Sequence, residues 1–477
     1  MAGVPSGALC SQKLRDVLKC RDMYIVAKKS RLFGSICVPG SKSHTIRALL
    51  LAALAEGASR IKNPLPSADC LSAAAAVPLI GAEVDLSPGA EGEPGTEWVV
   101  RGAGAGAHLP DDVVDVGNSG SLLYFLSPIC ATFAGASVFT GDESIRSRPV
   151  LHLVDALNQL GADCFAARPG KDGCPLVVRG PAQGGFVRTA GDVSSQYVSG
   201  LMMAGIRLSG GVTIELSNPK ETPYLTMTQK WLEKVGVSCS VSDDFRRIRV
   251  QSEKKAIGAF GTVVPSDWEA VAFPLVAALI SEGSRVVIQN VDASGTQGDD
   301  RIVDALLSVG GKIEWNKADG TLSVSSSRLS AQGLPSGGHR VALSPFPDAV
   351  CALAVAACFT EGTTVLEDAA VCRRKEIDRL SALRSELSKL GADVEEGDDF
   401  LVIRGHSPFN ADGSKNPAFC LHGGTVESYG DHRMAMSLAV LGAGLPSGEV
   451  RVKDAECCKV SFPDFFGVMR RIGAEFA

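Results

Sequence analysis

The stretch Leu79-Ile80-Gly81-Ala82-Glu83-Val84 recurs in variant form five more times along the chain of 477 residues. The other copies are Gln159–Cys164, Lys234–Cys239, Ser308–Ile313, Lys389–Val394 and Arg471–Phe476. The third residue of every copy is glycine, and successive glycines are 80, 75, 74, 81 and 82 residues apart. Such even spacing indicates an internal structural repeat. Chance recurrence of a common helix-to-strand junction is the alternative, and the regularity disfavours it.

The segment before each of these glycines has the pattern of an amphipathic helix. In Leu153–Leu160 and Ile302–Val309, apolar residues recur at positions i, i+3, i+4 and i+7. A glycine after such a segment is typical of a helix C-cap, and the run that follows it predicts a strand. A second segment in most units is apolar on nearly every face, which predicts a buried helix. Its clearest copies are Arg47–Ala55, Val198–Ile206, Val271–Ile280 and Ala349–Ala357.

The length and the repeat together predict the fold class. A chain of 477 residues is long enough for two or more domains, each with its own core. We therefore expect an α/β protein with six β-α-β-α-β modules, three in each of two lobes of similar size. In this arrangement the apolar helices form a central cluster and the sheets surround it.

The composition excludes several classes of function. The net charge is −6, aromatic residues make up 6% and the basic residues are scattered, so duplex nucleic-acid binding is not expected. No uninterrupted apolar run reaches the roughly 18 residues that a membrane span needs. The 14 cysteines are irregularly spaced and form no C-x-x-C pair, which favours a reducing, cytosolic setting. Residues 1–22 carry charges where a secretory signal needs apolar residues, and we interpret them as an extension or a vector remnant before a domain start at Met23.

The stretch Val38–Arg47 (V-P-G-S-K-S-H-T-I-R) is a candidate anion site at a helix start. Gly40 permits a tight turn, Ser41 or Ser43 can cap the helix, and free N–H groups there favour an anion. The spacing is not that of a Walker loop, so a nucleoside triphosphate is not indicated. Taken alone, the stretch fits a phosphate site and a simply capped helix equally well.

Two further polar helix starts lie in the same half of the chain. Val116–Ser121 (V-G-N-S-G-S) opens an apolar helix and is followed by Arg146 and Arg148, whose side chains can fork onto a carboxylate or phosphate. Asp192–Tyr197 (D-V-S-S-Q-Y) places two hydroxyls and an amide before another apolar helix. Helix capping is the simpler interpretation of each one, but three together favour a shared anion site.

The second half of the chain adds charged residues at three helix starts. Asp348 lies just before a buried helix, whose dipole would keep it ionised. Cys372–Arg379 (C-R-R-K-E-I-D-R) packs six charges into seven residues, and the solvated face of a surface helix is its alternative interpretation. Tyr429–Met436 (Y-G-D-H-R-M-A-M) sets Asp431, His432 and Arg433 against an apolar helix; a structural histidine is the alternative there.

These motifs, in this order, resemble the family of 5-enolpyruvylshikimate-3-phosphate synthases (3-phosphoshikimate 1-carboxyvinyltransferases). The resemblance runs from about Met23 to the end of the chain, and its motifs are P-G-S-K-S-x-x-x-R, G-N-x-G, S-S-Q-Y, P-D-A, K-E-x-D-R and D-H-R-M-A-M. It implies a two-lobed inside-out α/β barrel with six β-α-β-α-β-β units, three per lobe. One lobe would comprise residues 23–39 plus 260–477, and the other residues 40–259.

The resemblance also implies the reaction. The enolpyruvyl group of phosphoenolpyruvate would pass to the 5-hydroxyl of shikimate 3-phosphate with release of phosphate, in aromatic amino-acid biosynthesis. It implies two small-molecule substrates and no metal or organic cofactor, and a monomer in the cytoplasm is our default expectation.

The site residues that the resemblance implies fall into three groups. For phosphoenolpyruvate they are Lys42, Gly120, Arg148, Gln196, Arg379 and Arg433. For shikimate 3-phosphate they are Lys42, Ser43, Arg47, Ser194, Ser195, Gln196, Tyr224, Asp348 and Lys375. For catalysis, which needs a base for the hydroxyl and an acid for the methylene carbon, they are Asp348 as base, Glu376 as proton donor and Lys42 as stabiliser of charge on the phosphate.

The chain departs from the family pattern at several positions. Tyr124 replaces a frequent Arg, Glu221 precedes Thr222 where a Ser commonly contacts substrate, and Val371 replaces an Asn. Val460 stands where a Lys is expected, with Lys459 one place earlier. Two alternative functions therefore stay open. One is an enolpyruvyl transferase with a different acceptor alcohol, and the other is a non-catalytic relative that binds a phosphorylated metabolite.

Overall fold

The structure is a computed structural model that describes residues 24–87, 97–252, 257–334 and 338–477. The predicted extension, residues 1–22, and the predicted domain start at Met23 lie outside the described residues. Within the described ranges, no helix is long and apolar enough to cross a membrane. The cysteines in these ranges are all free thiols.

The described part of the chain contains 26 strands. In chain order they are β1 (Tyr24–Lys28), β2 (Phe33–Cys37), β3 (Ala55–Lys62), β4 (Glu83–Ser87), β5 (Glu97–Ala103), β6 (Val114–Asp115), β7 (Gly135–Thr140), β8 (Asp163–Ala166), β9 (Leu176–Gly180), β10 (Gly185–Ala190), β11 (Val212–Ser217), β12 (Ser238–Val241), β13 (Arg247–Gln251), β14 (Ile257–Gly258), β15 (Gly261–Val263), β16 (Arg285–Gln289), β17 (Lys312–Asn316), β18 (Thr321–Ser325), β19 (Leu329–Ser330), β20 (His339–Ala342), β21 (Thr360–Glu367), β22 (Asp393–Glu396), β23 (Leu401–Gly405), β24 (Gly424–Glu427), β25 (Glu449–Lys453) and β26 (Glu475–Phe476).

Thirteen α-helices and several 3₁₀ turns connect these strands in the same ranges. The α-helices are α1 (Lys42–Ala53), α2 (Ala68–Ala76), α3 (Gly120–Cys130), α4 (Glu143–Ser147), α5 (Leu151–Gln159), α6 (Ser195–Ala204), α7 (Thr222–Lys234), α8 (Trp268–Ile280), α9 (Ile302–Ser308), α10 (Val350–Cys358), α11 (Arg379–Lys389), α12 (His432–Gly444) and α13 (Phe465–Arg471). The 3₁₀ turns are Val77–Ile80, Gly104–Gly106, Gly298–Arg301, Pro347–Ala349, Ala370–Arg374 and Ala455–Val460.

The strands form six sheets with one shared plan, in which one or two edge strands pair in parallel with a strand that begins a run of antiparallel pairs. The six orders are β24-β25-β1-β26, β14/β15-β3-β5-β4, β6-β7-β9-β8, β10-β11-β13-β12, β2-β16-β18-β17 and β19/β20-β21-β23-β22. One face of each sheet is apolar. In the fourth, for example, Val187, Ile214 and Ile248 lie side by side in register and are buried.

The six repeated glycines end helices and precede strands, as the sequence predicts. All six have positive φ angles, from +80° at Gly236 to +101° at Gly473. Glycine adopts this left-handed conformation without steric cost, and the N–H of each of the six donates to the carbonyl three residues earlier, which closes the helix end. The strands after the six glycines are β4, β8, β12, β17, β22 and β26, and each is the antiparallel edge strand of a different sheet.

The apolar helices are buried, which confirms the prediction made from their composition. Every residue of α3, α10 and α12 is buried. In α1, α6 and α8 the exceptions lie within the first two residues of each helix: Lys42 and Ser43, Gln196 and Glu269. In α1, α6 and α8, only residues of the polar first turn are therefore partly exposed to solvent.

The buried apolar residues fall into two clusters. One contains residues from 46–264, and the other contains residues from 27–38 and 268–476. The two segments that pass between the clusters run antiparallel and bond to each other, with Ser41 N donating to Pro265 O (2.7 Å) and Asp267 N to Pro39 O (3.0 Å). Gly40 lies at this crossing because a Cβ atom there would be 2.2 Å from the Asn63 carbonyl oxygen. Close approach of backbone, not a left-handed turn, is the reason for this glycine.

Candidate active site

A single cavity lies where the two clusters meet, and residues near the starts of six buried helices line it. The helices are α1, α3, α6, α8, α10 and α12. Of the fourteen residues that the sequence predicts for the site, thirteen line the cavity: Lys42, Ser43, Arg47, Gly120, Arg148, Ser194, Ser195, Gln196, Tyr224, Asp348, Lys375, Glu376 and Arg433. Helix N-termini carry free N–H groups and a positive field, so their convergence suits anionic ligands.

The start of α1 is capped in a way that the sequence did not predict. Ser41 occupies the N-cap position, but neither its side chain nor that of Ser43 accepts a helix N–H. Instead, the Asp267 carboxylate accepts the Lys42 N–H at 3.0 Å and, with its other oxygen, the Glu269 N–H at 3.0 Å. One carboxylate thus caps α1 and α8 together, and burial followed by the nearby Glu269 charge raises the pKa of Asp267 to about 7.

Lys42 and Arg47 project from α1 into different surroundings. The Lys42 ammonium pairs with Asp69 at 3.2 Å; burial opposes its charge, but Asp69 and Glu269 raise its pKa. Arg47 is 1% exposed, and its guanidinium has no carboxylate partner among the described residues; it donates to Thr228 Oγ1 (2.9 Å) and the Ser43 carbonyl (2.9 Å). Burial lowers the pKa of Arg47 to about 9, which still leaves it cationic at neutral pH.

The start of α3 brings Gly120 against Arg148. A Cβ atom at Gly120 would lie 2.5 Å from an Arg148 terminal nitrogen, so any larger residue there would require the guanidinium to move. Ser119 caps the helix by accepting the Leu122 N–H at 3.2 Å. Across the cavity wall, the Gln196 amide donates to Ser121 Oγ at 3.0 Å. The V-G-N-S-G-S and D-V-S-S-Q-Y motifs therefore both cap helices and line one site.

The start of α6 forms a cradle of hydrogen-bond donors. Ser194 Oγ accepts the Gln196 N–H at 3.2 Å. The Ser195 N–H and hydroxyl both donate to a Glu221 carboxylate oxygen, at 2.9 and 3.0 Å. The other Glu221 oxygen pairs with the Lys375 ammonium at 2.8 Å. Lys375 also reaches Asp348 at 3.2 Å, so it links the two acids.

Arg379 differs from the other predicted residues because it does not line the cavity. Its side chain is fully buried, and its three nitrogens bond Asp348 (2.6 Å), Glu376 (2.6 Å) and Asp431 (2.8 Å). Its predicted direct contact with phosphoenolpyruvate therefore stays a prediction. In this structure Arg379 holds the two predicted catalytic carboxylates from behind.

Cations keep both predicted catalytic acids ionised. Burial alone would raise the pKa of Asp348, but Lys375, Arg433 and Arg379 hold it well below its usual range. The sequence predicted a helix dipole for this effect, and the three direct charges are a cause that it did not predict. Burial likewise opposes the charge of Glu376, and Arg379 and Arg148 nevertheless hold its pKa well below the usual range. Arg148 lies 3.3 Å from Glu376.

Tyr224 faces two further carboxylates. Its hydroxyl lies 2.8 Å from Glu269 and 3.0 Å from Asp299. A hydroxyl has one proton to donate, so one of these acids must itself be protonated to donate in return. Burial and the charges of Glu269 and Asp348 raise the pKa of Asp299 well above its usual value, which assigns the proton to Asp299. Glu269 pairs with Arg433, which opposes the effect of burial and lowers its pKa.

Residues 26–469 of the chain match the family model for EPSP synthase (3-phosphoshikimate 1-carboxyvinyltransferase). The chain belongs to the EPSP synthase family. Two relatives bear the name 3-phosphoshikimate 1-carboxyvinyltransferase. The one from Ruminiclostridium cellulolyticum is 36% identical over 95% of this chain and 99% of its own length. The one from Halobacterium salinarum is 38% identical over 95% of this chain and 99% of its own length. The solved EPSP synthase structure from Acinetobacter baumannii has a TM-score of 0.77 and 26% identity, covering 95% of this chain and 99% of its own.

The departures from the EPSP synthase pattern have different positions relative to the cavity. Tyr124 lines it, with its hydroxyl donating to the Pro149 carbonyl at 2.8 Å, and Val371 and Glu221 line it as well. Lys459 is exposed on the turn Ala455–Val460 and is not among the residues that line the cavity. The lysine one place before Val460 therefore does not replace the expected one in this structure.

Sequence reasoning missed two carboxylates that line the cavity, Asp69 and Glu269, and a third, Asp299, that contacts Tyr224. Asp69 and Glu269 are in the first turns of α2 and α8, where acidic residues are common for helix stability alone. Their position at helix starts was thus a weak signal. The residues of the Cys372–Arg379 motif have different positions. Arg374, Lys375 and Glu376 line the cavity. Arg373 instead pairs with Asp378 at 2.7 Å, and both of these side chains are partly exposed.

Proposed function

We propose that the chain transfers the enolpyruvyl group of phosphoenolpyruvate to the 5-hydroxyl of shikimate 3-phosphate and releases phosphate. It is then a transferase of the shikimate pathway, acting in aromatic amino-acid biosynthesis, and we propose a cytoplasmic monomer. The observation that carries the proposal is the convergence of six helix starts on one cavity lined by Lys42, Arg148, Asp348, Glu376 and Arg433. A cavity with both cations for polyanions and a pair of carboxylates suits this chemistry.

The finer architecture is also a proposal. We propose six copies of one β-α-β-α-β-β unit in a two-lobed inside-out barrel, three units per lobe. The shared pairing plan of the six sheets and the six left-handed glycines support it. The pairing of β15 (Gly261–Val263) with β3 favours a lobe boundary slightly after residue 260, near the crossing at Asp267.

Phosphoenolpyruvate would bind beside Gly120, where Arg148 and Arg433 offer guanidinium forks for a carboxylate or phosphate. Lys42 and Gln196 would complete its contacts, and Arg379 would act on it through Glu376 in the conformation described. Shikimate 3-phosphate would bind to the α6 cradle and its surroundings. The residues proposed for it are Lys42, Ser43, Arg47, Ser194, Ser195, Gln196, Tyr224, Asp348 and Lys375.

The proposed chemistry is addition followed by elimination. Glu376 gives a proton to C3 of phosphoenolpyruvate while the acceptor oxygen attacks C2, and the hydroxyl proton passes to Asp348. The product is a ketal with both acceptor and phosphate on C2. Glu376 then removes a proton from the new methyl group as the bond from C2 to the phosphate oxygen breaks. Lys42 neutralises the departing phosphate, which takes the proton held by Asp348.

Glu376 must be protonated to start this sequence, although cations keep it ionised in the structure. A bound polyanion would resolve this conflict. The negative charge of phosphoenolpyruvate beside Glu376 would raise its pKa and partly neutralise Arg148. Substrate binding would thus supply the proton donor in its acid form only when there is a carbon to protonate.

Phosphate release from phosphoenolpyruvate tests the function against its alternatives. We expect release that depends on shikimate 3-phosphate. Release only with another alcohol would favour a transferase with a different acceptor, for which Glu221 in the cradle is the supporting observation. No release with any acceptor, but binding of shikimate 3-phosphate by calorimetry, would favour a non-catalytic relative.

Gly120→Ala tests the proposed phosphoenolpyruvate site. The new methyl group would displace the Arg148 guanidinium, because it would lie 2.5 Å from one nitrogen. Loss of one charge-assisted contact should raise KM for phosphoenolpyruvate roughly tenfold or more, with a smaller effect on KM for shikimate 3-phosphate. Gly106→Ala is the matched control, since nothing lies within 4 Å of a Cβ atom there. Equal KM values for phosphoenolpyruvate in both variants would refute the assignment.

A further inference from the structure

The Glu221 carboxylate occupies the cradle at the start of α6. One oxygen accepts both the Ser195 N–H at 2.9 Å and the Ser195 hydroxyl at 3.0 Å, and the other pairs with Lys375 at 2.8 Å. A helix N-terminal N–H, a serine hydroxyl and a lysine ammonium are together the donors that bind a phosphate group. Ser195 and Lys375 are also residues proposed above to hold shikimate 3-phosphate. The Glu221 carboxylate therefore occupies hydrogen-bond donors that are proposed to bind shikimate 3-phosphate.

Glu221 is built into this position. Its side chain is 4% exposed, and it is the N-cap residue of α7 with a left-handed backbone at φ +50°. A residue other than glycine in this conformation costs free energy and persists where its surroundings hold it. The Glu221 N–H donates to the Ser344 carbonyl at 3.3 Å. Ser344 lies in the segment 268–476, which contributes to the other apolar cluster. The carboxylate is thus fixed from both sides of the cavity.

We propose that Glu221 is an internal competitor for the acceptor phosphate and that it acts as a specificity filter. This inference rests on the proposed function. An entering phosphate dianion must displace the carboxylate from Ser195 and Lys375 or share them with it. A weaker, singly charged anion cannot do so, because it offers no more charge than Glu221 and meets its repulsion. The acceptor site is thereby selective for a dianion and binds it less tightly than the same donors would without Glu221.

The competitor is tested by removing its charge in two ways. Glu221→Gln keeps the shape of the side chain, and Glu221→Ser opens the cradle. Lys375 stays near the cradle in either variant because Asp348 holds it at 3.2 Å. Calorimetry should find shikimate 3-phosphate, and inorganic phosphate as a minimal probe, bound roughly tenfold to a hundredfold more tightly by at least one variant than by the native chain. Unphosphorylated shikimate should gain detectable binding.

Glu215→Gln is the matched control, since Glu215 is exposed on β11 and forms an ion pair with the exposed Arg188 at 3.4 Å. Phosphate affinity that is unchanged or weaker in both Glu221 variants, with native thermal midpoints, would overturn the inference. The affinity for inorganic phosphate tests the role of Glu221 without any measurement of turnover. An absence of phosphate release with shikimate 3-phosphate would refute the proposed function instead, so the two failures are distinguishable.

Discussion

Turnover should fall by a factor of roughly 10² to 10⁴ when Glu376 is replaced by glutamine. The amide keeps the shape of the side chain, and its single oxygen can still accept from one of Arg148 and Arg379, which lie 3.3 and 2.6 Å from the two carboxylate oxygens. It cannot deliver a proton to carbon. The expected loss is therefore in kcat, measured as phosphate release at saturating concentrations of both substrates.

Glu367→Gln is the control for this variant, because Glu367 is at the end of β21 and pairs with Arg340 away from the cavity. Its kcat should match that of the native chain. A Glu376→Gln variant that retains native kcat would show that another group protonates the methylene carbon. A lowered kcat with a lowered thermal midpoint would indicate damage to the Arg379 cluster instead, which the midpoint of the same preparation reveals.

The repeat was visible in the sequence because the backbone conformation at each of the six helix ends favours glycine. Gly81 and its five counterparts have left-handed φ angles that other residues adopt only at a cost in free energy. A glycine is therefore present in the sequence at each of these helix ends. Burial of the core helices was predictable for a similar reason: a helix that is apolar on every face has no side for solvent. The resemblance implies that residues 23–39 join residues 260–477 in one lobe, but the particular strand pairs, such as β1 with β25 and β26, were not predictable.

The basic residues of the site were predicted from motifs and the resemblance, but their partners were not. Lys42 pairs with Asp69, Arg433 with Glu269 and Lys375 with Glu221. Each pair joins residues far apart in the chain, and an acidic residue in a first helical turn looks the same whether it faces solvent or a cavity. The cap of α1 was missed for the same reason, because Asp267 reaches it from 225 residues away.

The cavity is consequently nearly balanced in charge, although the sequence favours a shared anion site. Six basic and five acidic side chains line it. A substrate anion that binds Lys42, Arg148, Lys375 or Arg433 must therefore take that cation from a carboxylate of the protein. Affinity becomes a difference between two ion-pair energies, which favours ligands that carry two charges over ligands that carry one.

Arg379→Met should be the most destabilising substitution in the site. Its guanidinium, with no exposed side-chain surface, bonds Asp348, Glu376 and Asp431, and the neutral replacement would leave these buried acids without a shared cation. Removing one partner from a buried charge cluster costs about 3–5 kcal/mol of unfolding free energy, which corresponds to a fall of roughly 10 °C in Tm. Arg384→Met is the control, since Arg384 is exposed on the same helix.

The dependence of this loss on pH identifies its cause. In the native chain, cations including Arg379 hold the pKa values of Asp348 and Glu376 below their usual range, so these acids stabilise the fold at neutral pH and cease to do so as pH falls through the folded-state values. Without Arg379 their pKa values rise, and the folded variant takes up protons at a higher pH than the folded native chain does. The gap in unfolding free energy between native and variant chains should therefore be widest near about pH 8 and narrow toward about pH 5.5. Denaturant unfolding at both values measures it, and a gap independent of pH would attribute the loss to packing instead of stranded charge.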